Sequence, residues 1–213
     1  MAEIIPAINA DSFEEIKRRI KLVEPYAEWV QLDIADGTFT KNTTWHNASD
    51  LLSFETPLKI EAHLMMNDIE ERFDEWLIAP VSRIIFHLEA VKDPVFVIEK
   101  CRENKKEVGI AIRPDTSWTK VVPYLRKADL IQILGVYPGL AGQKFQEECF
   151  DKIRHLRKER PGCIIEVDGG MDAITAKKAF EAGADIIVAA SAIFNSKDIG
   201  KAINALQKTK SLK

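Results

Sequence analysis

Cysteine is scarce in this 213-residue chain. The three present, Cys101, Cys149 and Cys163, form no C-x-x-C pair and no zinc-ligand spacing. That argues against a disulfide framework and suggests reduced thiols in a cytoplasmic protein. No apolar run is long enough to span a bilayer, and residues 1–6 are too short and too acidic a start for a signal peptide. No charge of one sign dominates: the formal net charge is −3, which gives no reason to expect nucleic acid or an anionic membrane as a partner. Linkers and low-complexity segments are missing too, and no G-x-G-x-x-G follows the first apolar run.

What remains is a composition ordinary for a globular protein, 46% apolar and 30% charged, with a regular alternation. Short apolar runs at 4–8, 29–34, 58–64, 83–88, 108–112, 130–136, 163–167 and 186–189 read as strands. Amphipathic runs at 13–23, 48–54, 68–78, 94–104, 117–125, 147–159, 172–182 and 199–207 read as helices. Asp11 or Ser12 suits the first N-cap, Pro94 a first helical turn and Gly183 a C-cap. Strands that are continuously apolar belong to a parallel sheet covered on both faces. Eight units in one domain over 1–213 predict a (β/α)8 TIM barrel, with a doubly wound open sheet as the competitor.

In such a barrel the strand ends share one mouth, where chemistry is found. Polar residues recur there: Asn9, Gln31 and Asp33, His63, His87 and Glu89, Arg113, Tyr137, Asp168, Ser191. Asp33, His63 and Asp168 converge from strands 2, 3 and 7, a set that suits zinc, manganese or iron. Two carboxylates on opposite sides of a substrate also suit proton removal and delivery; the plainer alternative is that they brace the barrel mouth. The run Ile164-Ile165-Glu166-Val167-Asp168-Gly169-Gly170-Met171 sets glycines and a helix start beside a carboxylate, as a phosphate cradle does, or simply as a tight turn does. Loop 6, residues 136–145, reads as a lid or second wall of that cradle. Glu61 and His87 read as buried, hydrogen-bonded groups.

Several of these segments together resemble the motif set of ribulose-phosphate 3-epimerases: Leu32-Asp33-Ile34-Ala35-Asp36-Gly37, His63-Leu64-Met65, Pro138-Gly139-Leu140-Ala141-Gly142-Gln143-Lys144-Phe145 and Glu166-Val167-Asp168-Gly169-Gly170. Ile5-Pro6-Ala7-Ile8 and His87-Leu88-Glu89-Ala90 extend the likeness. The resemblance implies a metal-dependent isomerase that inverts C3 of a ketopentose 5-phosphate through an enediolate. It implies that Asp33 and Asp168 are the acid/base pair and, with His63, metal ligands. It assigns the phosphate to Gly139, Leu140, Ala141, Gly142, Gly169, Gly170, Ala190 and Ser191, and it implies a homo-oligomer.

The departures from that family are local. Gln31 stands where the family has a metal-ligating histidine; its oxygen can ligate, but as a neutral and weaker donor. Ala10 replaces a serine, Ala35 and Leu134 replace methionines, and Ala141 and Ala190 replace glycines. Arg113 adds a fixed positive charge suited to a phosphate or carboxylate, and Tyr137 is bulkier than the family's residue. Three readings follow: a sugar-phosphate 3-epimerase; a lyase, decarboxylase or other isomerase on the same barrel, motivated by Arg113; and a non-catalytic binder of phosphorylated metabolites.

Overall fold

The computed structural model describes residues 3–139 and 143–210. Its strands are β1 (Glu3–Ile8), β2 (Trp29–Ala35), β3 (Lys59–Met65), β4 (Arg83–His87), β5 (Glu107–Ile112), β6 (Leu130–Leu134), β7 (Ile164–Asp168) and β8 (Ile186–Ala189). All eight pair in parallel and in chain order, and β8 closes on β1. The (β/α)8 barrel is therefore observed, and the open sheet is excluded.

The helices are α1 (Phe13–Val23), α2 (Ile69–Arg72), α3 (Asp74–Ile78), α4 (Pro94–Glu103), α5 (Cys149–Glu159), α6 (Ala173–Ala182), α7 (Ser191–Phe194) and α8 (Ile199–Gln207). Ser12, not Asp11, caps α1: its hydroxyl accepts from the Glu15 N–H. Ile16, Ile20 and Val23 then turn toward the barrel. Gly183 closes α6 at φ 117°, as expected of a left-handed C-cap.

Four expectations need correction. The helix expected over 68–78 is broken into α2 and α3, entered through Asp68 at φ 51°. Residues 48–54 and 117–125 form 3₁₀ turns, Ala48–Ser53 and Trp118–Tyr124, the latter containing Pro123, which has no N–H to give a helical ladder. Strand 6 stops at Leu134: the Gly135 N–H gives the last ladder bond, to Asp168 O at 2.7 Å, and the chain bends there under the Phe145 ring, 2.2 Å from where a Cβ would sit.

The large apolar core lies between the outer face of the strands and the helices, around Phe73, Trp76 and Phe86. Inside the barrel the apolar residues fall into two separate groups. Ile5, Ala7, Trp29, Ile186 and Val188 form one, and Ile85, Ala111 and Leu130 the other. Buried polar side chains are found in the interior as well: Gln31, Glu61, Arg83, Gln132 and Glu166.

Candidate active site

Period-2 alternation sets the parity of the inward positions. Gln31 and Asp33, Glu61 and His63, Gln132 and Leu134, Glu166 and Asp168 are each two apart, so each pair shares a face of its strand. Register then aligns the pairs: Asp33 lies beside His63, Gln31 beside Glu61, and Gln132 beside Glu166.

One atom each from Asp33, His63 and Asp168 lies within 4.8 Å of the others. His63 Nδ1 is 3.1 Å from Asp33 Oδ1 and 3.6 Å from Asp168 Oδ2. Two acidic oxygens and an imidazole nitrogen at this spacing are a donor set that fits a divalent cation. His63 Nε2 is 2.9 Å from His87 Nε2, and His87 Nδ1 is 3.4 Å from Glu89 Oε2. Burial pushes His87 down to about 4, so it is neutral near pH 7. With its Nδ1–H turned to Glu89, its Nε2 accepts from His63 Nε2–H. The other nitrogen of His63, Nδ1, is the one that faces the carboxylates, an orientation held by its neighbour as metal-binding imidazoles are held. His87 thus stays outside the three-residue cluster and supports it from behind.

Burial, together with the nearby Asp33 charge, pushes the Asp168 carboxyl up to about 7. A carboxyl near neutrality can both take and give a proton. Although burial acts to lower His63, the hydrogen bond to Asp33 and the surrounding carboxylates raise it.

Asp33, His63, Gly139, Asp168, Gly169, Gly170, Ala190 and Ser191 line one cavity, with Asn9, Met65 and Tyr137. Gly169 and Gly170 adopt φ +93° and +67°, where a side chain is disfavoured. A Cβ on Gly169 would lie 2.5 Å from Val136 Cγ2, and one on Gly170 3.1 Å from the Phe145 backbone. These glycines are therefore required by the packing of loop 6 on loop 7. Leu140, Ala141 and Gly142, expected at the phosphate, lie outside the described residues.

Of two further expected site residues, one lies off the cavity and one lies directly beneath the cluster. Arg113 does not line the cavity. Its guanidinium lies over the Phe39 ring at 5.8 Å and pairs with Asp115 at 3.2 Å, and Phe39 in turn packs tilted against His87, ring centres 4.5 Å apart. Gln31 is wholly buried beneath the cluster and offers it nitrogen: Nε2 donates to Asp33 Oδ1 and to Asp168 Oδ2, each at 2.8 Å. Sequence reasoning missed Gln132, whose Nε2 donates to Gln31 Oε1. The signal was present, a lone amide at an inward position of an apolar strand.

The closed barrel and the cluster of Asp33, His63 and Asp168 in its C-terminal mouth, where such barrels carry their chemistry, have the form of a (β/α)8-barrel enzyme. Comparison with known proteins narrows this. The model of the ribulose-phosphate 3 epimerase family matches residues 3–194. The ribulose-phosphate 3-epimerase of Schizosaccharomyces pombe is 31% identical over 211 residues, 97% of this chain and 92% of that protein. The cytoplasmic isoform of Oryza sativa subsp. japonica is 32% identical over 214 residues, 98% and 94% of the two chains. The chain belongs to the ribulose-phosphate 3-epimerase family, a family of isomerases. Solved structures share the fold more widely. KGPDC from Streptococcus mutans superposes with a TM-score of 0.75 at 14% identity, covering 98% of this chain and 97% of that one. A 3-hexulose-6-phosphate synthase gives 0.71 at 18%, covering 98% and 100%. No helix among the described residues is long and apolar enough to cross a membrane.

Proposed function

We propose that this protein interconverts the C3 epimers of a ketopentose 5-phosphate, ribulose 5-phosphate or a close relative. The observation that carries the reading is the approach of Asp33 and Asp168 from β2 and β7 to the same small volume beside His63. One carboxylate removes the C3 proton, leaving an enediolate, and the other returns a proton to the opposite face. Asp33 and Asp168 both line the cavity, from β2 and β7, so a substrate held between them meets both carboxyl groups. Asp33, His63 and Asp168 would hold a divalent metal, which supplies positive charge against the enediolate oxygens when bound. Gly139, Gly169, Gly170, Ala190 and Ser191, on the loops that wall the cavity, hold the phosphate end; loops after strands 7 and 8 are the usual phosphate site of such barrels. A cytoplasmic location accords with three buried free thiols and with the cytoplasmic isoform among its relatives.

The test is exchange of the substrate C3 proton with deuterated solvent, followed by NMR. With Mn2+ supplied, wild-type protein exchanges the proton and Asp168→Asn is slower by about 10²–10⁴-fold, the usual contribution of a positioned acid/base group. No exchange by the wild-type protein refutes the reading.

A further inference from the structure

A chain of two buried carboxamides runs beneath the cavity. Gln31 Nε2 donates to Asp33 Oδ1 and Asp168 Oδ2. Gln31 Oε1 accepts from Gln132 Nε2 at 2.8 Å, and the same Gln132 Nε2 donates to Glu166 Oε1 at 2.9 Å. Both glutamines are fully buried. The groups at the ends of the chain set the sense of both amides. Asp33 and Asp168 offer acceptor oxygens at one end, so Gln31 turns its NH2 to them and its oxygen to Gln132, whose NH2 serves both Gln31 Oε1 and Glu166 Oε1. The remaining atom shows the consequence: Gln132 Oε1 is buried with no hydrogen-bond partner among the described residues. An orphaned buried acceptor is unfavourable. It persists because turning the amide over would set oxygen against oxygen at Gln31 and give up the bond to Glu166 Oε1.

Taking the cluster above as the cation site, we propose that Gln132 is a positioning residue that holds Gln31 as a hydrogen-bond donor to Asp33 and Asp168, and so weakens the affinity of the site for a divalent cation. The Gln31 NH2 group already relieves the repulsion between two carboxylates, which is what a cation would otherwise do. A cation entering the cluster must break these bonds and meets N–H groups instead of a lone pair. If Gln31 turns over to offer Oε1, it loses the bond from Gln132 and sets N–H against N–H. Gln132 can turn in reply only by giving up its own bond to Glu166 Oε1. The register that places Gln132 beside Glu166 is thus part of the metal chemistry of the mouth, although neither residue reaches the cavity.

The probe is Mn2+ alone, titrated calorimetrically into the whole protein at fixed pH, with thermal unfolding followed in parallel. Gln132→Met keeps the length of the side chain and donates nothing, so Gln31 is free to turn. The expected result is a Kd for Mn2+ about tenfold smaller than wild type, the equivalent of the ~1.4 kcal/mol of one hydrogen bond no longer broken on binding. A larger Mn2+-induced rise in Tm accompanies it. Gln31→Glu is the second variant and keeps the proposal testable if Gln132→Met fails to fold. It still accepts from Gln132 but presents an anionic oxygen to the cluster. Its Tm without metal falls below wild type, and Mn2+ restores it with tighter binding. A Gln132→Met affinity within twofold of wild type overturns the proposal, as does Gln31→Glu binding Mn2+ no better than wild type. No binding by any of the three proteins overturns both the proposal and the cation site, whereas the epimerase reading is judged separately by C3 proton exchange.

Discussion

Replacing Arg83 by Met should destabilise the protein severely, and by an amount that grows with pH. Arg83 is 7% exposed at its side chain, with Nη1 2.7 Å from Glu61 Oε2 and 3.9 Å from Glu166 Oε2. Nη2 pairs with Glu107 at 2.6 Å, and the guanidinium lies over the Trp29 ring at 4.1 Å. Methionine keeps much of the aliphatic contact and removes the positive charge that faces two fully buried carboxyl groups. Breaking a buried pair from one side costs about 3–5 kcal/mol. Unfolding entropy near 2.1 cal/mol/K per residue gives a chain of this length about 0.45 kcal/mol/K, so Tm should fall by about 7–11 °C. Burial raises Glu61 to about 7 and Glu166 well above the usual carboxylate range, and Arg83 opposes both shifts. A carboxyl raised in the folded state contributes its full stability below its unfolded value, near 4.5 for glutamate. It loses that contribution as pH rises through the folded value. Without Arg83 both groups rise further, and the loss above neutrality deepens. Differential scanning calorimetry at pH 5 and pH 8 should therefore show a small gap between wild type and Arg83→Met at pH 5 and the full gap at pH 8. A fall of less than about 3 °C at pH 8, or one that is equal at the two values, would refute this account of the barrel interior.

Two further predictions concern the mouth. Gly169→Ala forces a side chain into φ +93° and against Val136. It should cost about 1–3 kcal/mol in thermal unfolding, with a raised KM for the phosphorylated substrate as loop 6 shifts; an unchanged Tm would mean that the two loops do not constrain each other. Arg113→Ala should leave KM within about threefold of wild type, since the guanidinium is half exposed and engaged by Asp115 and Phe39. A rise of tenfold or more would put Arg113 on the substrate and revive the reading of a substrate with a second anionic group.

The barrel was legible because its evidence is local and repeated. Apolar runs such as 130–136 alternate with amphipathic ones such as 147–159, and several helices carry their own punctuation: Ser12, Pro94 and Gly183. The short elements were not legible for the same reason. α7 has four residues, too few for a 3.6 period, and the broken α2–α3 segment keeps its apolar spacing across Phe73, which hides the break.

The sequence by itself determined which side chains could meet. Positions two apart on a strand share a face, so Asp33, His63 and Asp168, each in the C-terminal half of its strand, were bound for one mouth once the barrel was inferred. Tertiary structure alone decided what those side chains do to each other. Gln31 is equally an oxygen or a nitrogen donor in the sequence; it is a nitrogen donor here because Gln132, 101 positions away, takes its oxygen. Arg113 looked like a phosphate hook by position, yet its guanidinium is engaged by Asp115 and Phe39. A hydrogen bond or an ion pair depends on distance and direction to a partner on another strand, and those are set only when the sheet has closed.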